Sequence, residues 1–102
     1  MIVITGGIVM KPECRDAAIA LGAEHSARSR AEPGCLAHNV HVDAENASRL
    51  VFFEQWADMA AVTAHFAVPE SGAFVSDLAK LANRAPWMRV FEGSEVEGMG
   101  RG

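Results

Sequence analysis

Hydrophobic and polar positions alternate in short runs along the chain, which is the pattern of strands that bury one face. In the third run both faces carry large apolar side chains, such as Phe52 on one and Phe53 on the other, so we expect both faces to be covered. Gly6 and Gly7 interrupt the first run, which indicates a bulge or a close approach by another group. The predicted strands are residues 2–10, 35–42, 49–56 and 87–96.

Apolar positions at helical spacing predict helices between these strands. The first helix runs from Cys14 to about Ala31, and residues 32–34 (Glu-Pro-Gly) end it, because Pro disfavours continuation and Gly permits a turn. Asp58 is expected to cap a short helix through Phe66, and Pro69 separates it from a third helix. The expected inner face of the first helix consists of Cys14, Ala17, Ala18, Leu21, His25 and Arg28.

The resulting order is β-α-β-β-α-α-β, and it leaves one sheet face without helices. Val51, Phe53 and their neighbours on the last strand would form an apolar patch there, so we expect a sheet-to-sheet homodimer to cover it. The pattern predicts one domain over residues 1–97 and a flexible tail over residues 98–102, which is rich in glycine.

Composition narrows the classes of function. The 102 residues are 50% hydrophobic and 22% charged with a formal net charge of −4, which suits a packed domain and gives no electrostatic case for binding nucleic acid. No run approaches the roughly 20 apolar residues of a membrane span, and the first strand carries no basic leader. We therefore expect a cytoplasmic protein, with Cys14 and Cys35 as free thiols.

Three segments in order resemble the antibiotic biosynthesis monooxygenase family: residues 32–36 (EPGCL), 53–58 (FEQWAD) and 64–66 (AHF). The resemblance covers about residues 2–96. It implies an α+β, ferredoxin-like fold with a four-stranded antiparallel sheet and helices on one face. It also implies a dimeric α/β barrel joined through the sheets, with a pocket between sheet and helices in each subunit. Since the family includes quinol monooxygenases and cofactor-independent oxygenases, it implies oxidation of a small aromatic phenol or quinol by dioxygen without a cofactor.

The family's Glu-x-Trp motif and following His fall on Glu54, Trp56 and His65, which are the predicted catalytic residues. Oxygenation without a metal or flavin needs a base, hydrogen-bond donors and a dry pocket. His65 is the expected base because its ordinary pKa of about 6.5 suits proton transfer near neutrality. Trp56 is expected to donate its indole N–H to the substrate, and Glu54 to orient His65 or Trp56. The predicted substrate contacts are His25, His38, Phe52, Phe66 and Phe74.

Departures from the family pattern keep other interpretations open. The chain has no Tyr, His38 stands where many relatives have Tyr, and no second histidine follows near Pro69. The first strand lacks the Asn of haem-degrading members, which argues against that activity. A non-catalytic small-molecule binding or sensing dimer is the alternative, as is an isomerase-like proton transfer by His65. Glu54 and His65 as a structural pair, and Trp56 as core, also fit the sequence.

Metal ligation is not indicated by the spacing of histidines and cysteines. The chain has no CxxC or HxxxH pattern, so we expect no metal site. His38 and His41 lie on opposite faces of one strand and cannot share an ion, although His25 and another histidine can still meet in space.

Overall fold

The computed structural model describes residues 1–102 and contains four strands and three α-helices. Each helix begins where the sequence offers a start: Pro12 opens a single 3-10 turn before the first, Asp58 accepts a hydrogen bond from the Ala61 backbone N–H, and Pro69 opens the third. The elements are β1 (Ile2–Val9), α1 (Arg15–Ser29), β2 (Cys35–Asp43), β3 (Asn46–Trp56), α2 (Met59–Ala67), α3 (Pro69–Lys80) and β4 (Trp87–Glu92).

The strands form one antiparallel sheet in the order β2-β3-β1-β4. With the helices on one face, this is the ferredoxin-like α+β fold, which confirms the predicted fold class. Gly6 and Gly7 pair without a bulge, and the expected close approach is found, since a Cβ at Gly6 would lie 2.8 Å from the Trp87 carbonyl oxygen. β4 ends at Glu92, short of the predicted Val96, because its partner strand begins opposite it at Ile2.

The pairing of β2 with β3 is irregular at both ends of β2, between Cys35 and Ala37 and between Val42 and Asp43. A register shift between Cys35 and Ala37 turns Leu36 outward, so Leu36 is 59% exposed although strict alternation would place it on the same face as His38. The shift leaves His38 pointing inward, opposite Glu54 of β3. The bulge therefore sets which polar side chain of β2 enters the core.

Helix α1 packs against the sheet through small residues. A Cβ at Gly22 would lie 3.0 Å from the Phe52 ring, so the helix approaches the sheet closely there. The expected inner face was wrong in part, because Ala17 is exposed and Leu21 only half-buried. A helix that packs this closely on aromatic side chains rotates its smallest side chains inward. The buried residues of α1 are Ala18, Gly22, His25, Ser26 and Ser29.

Two apolar clusters flank a polar centre between the helices and the sheet. The larger includes Ile8, Leu50 and Leu78, and the smaller includes Ile4 and Trp56. Between them lie the buried histidines described below. On the opposite sheet face, Phe53 is 37% exposed and Phe91 is 50% exposed, so the homodimer expected across this face stays a prediction. None of the helices has the length and apolarity required to cross a bilayer.

Candidate functional site

A cavity of about 640 Å³ lies between the sheet and α3. Its walls are largely apolar, and their aromatic side chains include three of the predicted substrate contacts. Its polar groups come from four different elements, α1, β3, α2 and α3, which the fold brings together. The apolar wall includes Phe52, Phe66, Phe74, Val75, Leu78 and Met88. The polar wall consists of His25, Glu54, His65 and Ser71.

Three buried histidines from three elements meet beside this cavity. His25 of α1, His38 of β2 and His65 of α2 are each at most 5% exposed. Their ring centroids are separated by 5.0 Å (His25–His38), 5.4 Å (His25–His65) and 5.7 Å (His38–His65). Buried polar groups need partners, so the hydrogen bonds of each ring indicate what it can do.

His65 is oriented by Glu32, which follows α1. The Nδ1 atom of His65 lies 2.8 Å from Glu32 Oε1, and a carboxylate can only accept, so Nδ1 carries the proton. In the neutral ring the lone pair is then on Nε2, which lies 4.0 Å from Glu54 Oε1. The predicted structural hydrogen bond between Glu54 and His65 is absent at this distance. This is the carboxylate–imidazole arrangement that activates a general base.

His25 has the opposite tautomer. The guanidinium of Arg28 donates to its Nδ1 over 2.6 Å, and guanidinium cannot accept, so the proton of neutral His25 is on Nε2. Burial, with the charges of His38, Arg28 and His65 acting in the same direction, lowers the pKa of His25 to about 3. The ring also stacks on Phe74 at a centroid distance of 3.8 Å. His25 is therefore a neutral, fixed hydrogen-bond donor.

Glu54 holds the centre of the cluster. Its Oε1 accepts the indole N–H of Trp56 over 2.9 Å and lies 3.4 Å from His38 Nε2. Burial acts to raise the pKa of Glu54, but the adjacent imidazole of His38, the hydrogen bond from Trp56 and the neighbouring His65 hold it below the ordinary value. The Glu54 side chain is therefore a carboxylate. It orients Trp56, which is one of the two roles expected for it.

Two predicted contacts need correction. Trp56 is fully buried outside the cavity wall, and its N–H is engaged by Glu54, so it cannot donate to a substrate. His38 is fully buried behind the wall, where Ser26 Oγ lies 2.8 Å from its Nδ1. Both side chains support the polar wall instead of touching the cavity. His25, Phe52, Glu54, His65, Phe66 and Phe74 do line it.

Sequence reasoning missed Glu32, Arg28 and Ser26. Arg28 lies three residues after His25 on one helix, a spacing that places side chains side by side, so this contact had a local signal. Glu32 contacts a histidine 33 residues further along the chain, and no local pattern reveals that pairing. The sequence indicates Glu32 as part of a helix stop and of the family-like segment 32–36, and assigns it no role in the site.

The fold and the site together define a class of protein, which is a ferredoxin-like domain with an apolar cavity and a buried acid–base cluster. The profile of the antibiotic biosynthesis monooxygenase family matches residues 1–77, and the chain belongs to this family. An uncharacterised protein of Synechocystis sp. is 30% identical over 96 residues, which are 94% of this chain and 65% of that protein. The chain thus spans about two thirds of that relative's length.

Solved structures agree with the family assignment. A crystal structure of an antibiotic biosynthesis monooxygenase is similar to this chain with a TM-score of 0.84 and 26% identity, covering 93% of this chain and all (100%) of that one. A Deinococcus radiodurans protein that carries the same family name has a TM-score of 0.91 and 21% identity, covering 99% of this chain and 100% of its own. The second likeness supports the fold alone.

Proposed function

We propose that this protein oxidises a small aromatic phenol or quinol with dioxygen and needs no bound cofactor. The observation that carries the proposal is the Glu32–His65 pair, whose imidazole belongs to the wall of an apolar cavity. Family membership supports a monooxygenase-like protein in general. The base and the cavity support the narrower substrate class.

The size and walls of the cavity suit an aromatic ring. A volume of about 640 Å³ lies within the range of small-molecule sites, roughly 300–1,000 Å³. Phe52, Phe66 and Phe74 offer ring faces and edges for offset or edge-to-face contacts. A mostly apolar wall lowers the local dielectric, which strengthens the polar interactions made at it.

In the proposed reaction, His65 Nε2 accepts the proton of the substrate hydroxyl. Glu32 stabilises the imidazolium that forms, and the Nε2–H of His25 donates to the developing phenolate oxygen. The phenolate reduces dioxygen, and a carbon–oxygen bond forms to give a hydroperoxide. The proton that His65 returns converts the peroxide anion to this hydroperoxide. Cleavage of the O–O bond with loss of the proton from the attacked ring carbon then releases water and leaves a quinone. One oxygen atom of dioxygen enters the product and the other leaves as water, so the substrate supplies all the electrons.

Oxygen uptake by protein treated with EDTA tests this proposal. A panel of hydroquinones and naphthols is compared for wild type, His65→Gln and the control His41→Gln, whose side chain is exposed on the other face of β2. Loss of a general base is expected to lower the rate roughly 10²-fold or more in His65→Gln, with little change in the control. Equal rates in wild type and His65→Gln, or no uptake above buffer, would contradict it. Thermal stabilisation by a compound that is not consumed would favour the binding or sensing alternative.

A further inference from the structure

Three possible ligand atoms from the polar wall and from His38 behind it lie close together, and His38 Nε2 has no hydrogen-bond partner. Glu54 Oε1 lies 3.4 Å from His38 Nε2 and 4.0 Å from His65 Nε2. Tetrahedral or octahedral zinc with bonds of about 2.0–2.2 Å separates neighbouring ligand atoms by roughly 3–3.5 Å. The His38–Glu54 separation falls within this range, and the His65–Glu54 separation exceeds it by about 0.5 Å.

Hydrogen bonds at the outer edges of both rings suit metal ligation. Ser26 Oγ contacts Nδ1 of His38, and Glu32 Oε1 contacts Nδ1 of His65, both over 2.8 Å. Metal-bound histidines almost always have such a partner on the nitrogen that does not bind the ion, because it fixes the ring and the tautomer. Both Nε2 atoms are therefore directed inward.

The Nε2 atom of His38 is buried and has no hydrogen-bond partner. Its ring is fully buried, and its 3.4 Å separation from Glu54 is too long for a good hydrogen bond. An unpaired buried nitrogen is costly unless another group binds it. An ion between His38, His65 and Glu54 would satisfy this nitrogen.

His25 lies close enough to be considered as a further ligand, since one ring nitrogen of each of the three histidines falls within 4.8 Å of the others. However, Arg28 occupies its Nδ1 as a donor, which leaves a proton on Nε2. A protonated nitrogen cannot bind a metal. The ligand set is therefore two imidazoles and one carboxylate, with His25 beside it.

We propose that His38, His65 and Glu54 bind one divalent transition-metal ion such as Zn²⁺. Imidazole with carboxylate suits Zn²⁺, Co²⁺ and Fe²⁺ more than Ca²⁺ or Mg²⁺, which prefer oxygen ligands. The second part rests on the proposed function: a bound Zn²⁺ takes the lone pair of His65 Nε2, which is the base of the reaction. Zn²⁺ is then an inhibitor, and the metal-free protein is the active form.

Titration of EDTA-treated protein with Co²⁺ tests the site without reference to activity. Wild type and the control His41→Ala are expected to bind one Co²⁺ per chain, with visible d–d absorption that Zn²⁺ abolishes. His38→Ala and Glu54→Gln are expected to weaken binding at least 10²-fold. Loss of a group that is hydrogen-bonded to a ligand lowers metal affinity about 10–100-fold, and loss of the ligand itself lowers it more. Absence of a saturable spectrum in wild type, or equal affinity in these variants, would overturn the site.

A second measurement uses wild type alone, in case the buried substitutions unfold the chain. In ¹⁵N spectra of the imidazoles, Zn²⁺ is expected to shift the Nε2 signals of His38 and His65 and to leave His41 unchanged. Zn²⁺ shifts confined to His41, or no shift at all, would overturn the proposal.

Oxygen uptake separates this proposal from the proposed function. Inhibition by Zn²⁺ with the same concentration dependence as binding supports both. Metal binding without uptake in either form refutes the oxygenase and leaves the site intact, whereas uptake without saturable metal binding refutes the site alone. Uptake that persists at saturating Zn²⁺, or that requires metal, would refute the inhibitory role.

Discussion

Acid stability offers a direct test of the buried neutral state of His25. The unfolded chain binds a proton at His25 near the ordinary value of 6.5, whereas burial lowers the pKa in the folded protein to about 3. Between these values the unfolded state holds more protons, so stability falls as pH decreases from 6.5 toward 3. The charged groups facing the ring are Arg28 on its own helix, His38 from β2 and His65 from α2.

The magnitude follows from the size of the shift. Each pH unit below 6.5 costs about 1.4 kcal/mol of unfolding free energy, so at pH 4 the cost attributable to His25 is about 3 kcal/mol. Replacing His25 by Phe removes the titrating group and keeps a flat ring against Phe74, whose ring is stacked on His25 within 3° of parallel. The variant should therefore lack this part of the acid sensitivity.

Urea unfolding at fixed protein concentration in EDTA, at pH 7 and pH 4, provides the assay. The unfolding free energy of His25→Phe minus that of wild type should be about 3 kcal/mol larger at pH 4 than at pH 7. Carboxylates elsewhere titrate in both proteins and cancel in the comparison. A difference that stays constant between the two pH values would refute the conclusion that His25 is held neutral.

Three further predictions concern the turn, the sheet face and the base. Gly34 has a φ of +81° and a Cβ there would lie 2.6 Å from the Ala61 Cβ, so Gly34→Ala should lower the unfolding free energy by about 2 kcal/mol in urea. The control Gly72→Ala, on α3 where a Cβ would meet no other atom, should raise the unfolding free energy by up to about 1 kcal/mol. A greater loss of stability in Gly72→Ala than in Gly34→Ala would contradict the role assigned to Gly34. Phe53→Lys should convert the expected homodimer to monomer in sedimentation velocity, and a wild type that sediments as a monomer would refute the dimer. Glu32→Gln should reduce oxygen uptake about 10²-fold, while circular dichroism shows an intact fold. An unchanged rate would remove Glu32 from the proposed mechanism.

The sequence could predict most of the fold because its strands have a clear period. On β3 the positions of Leu50, Phe52, Glu54 and Trp56 follow strict alternation, and all four are buried in the structure. The inner face of α1 was harder to predict, because glycine and serine carry little apolar signal and yet permit the helix to lie close to Phe52. The bulge that exposes Leu36 likewise leaves no mark in the alternation.

The candidate site was only partly predictable, because its hydrogen bonds join distant segments. The positions of His65 and Glu54 could be taken from a motif, but the partner of each ring depends on the packing of α1 against β2 and α2. Glu32 and Ser26 illustrate this: each contacts a histidine on another element, over 33 and 12 residues of chain. Tautomers follow from these partners, so the division of His25 and His65 into donor and base required three-dimensional placement.

The composition of the cluster argues for chemistry over stability. Burying His25, His38, His65 and Glu54 removes four polar groups from water, and the nitrogen of His38 finds no partner in return. Apolar side chains of similar volume commonly stabilise a core as well as buried polar networks do, or better. Local rules of folding are broken mainly where function requires it. The proton transfer and the metal binding proposed above would both account for a core that keeps an ionised carboxylate, an unpaired imidazole nitrogen and a neutral donor in one cluster.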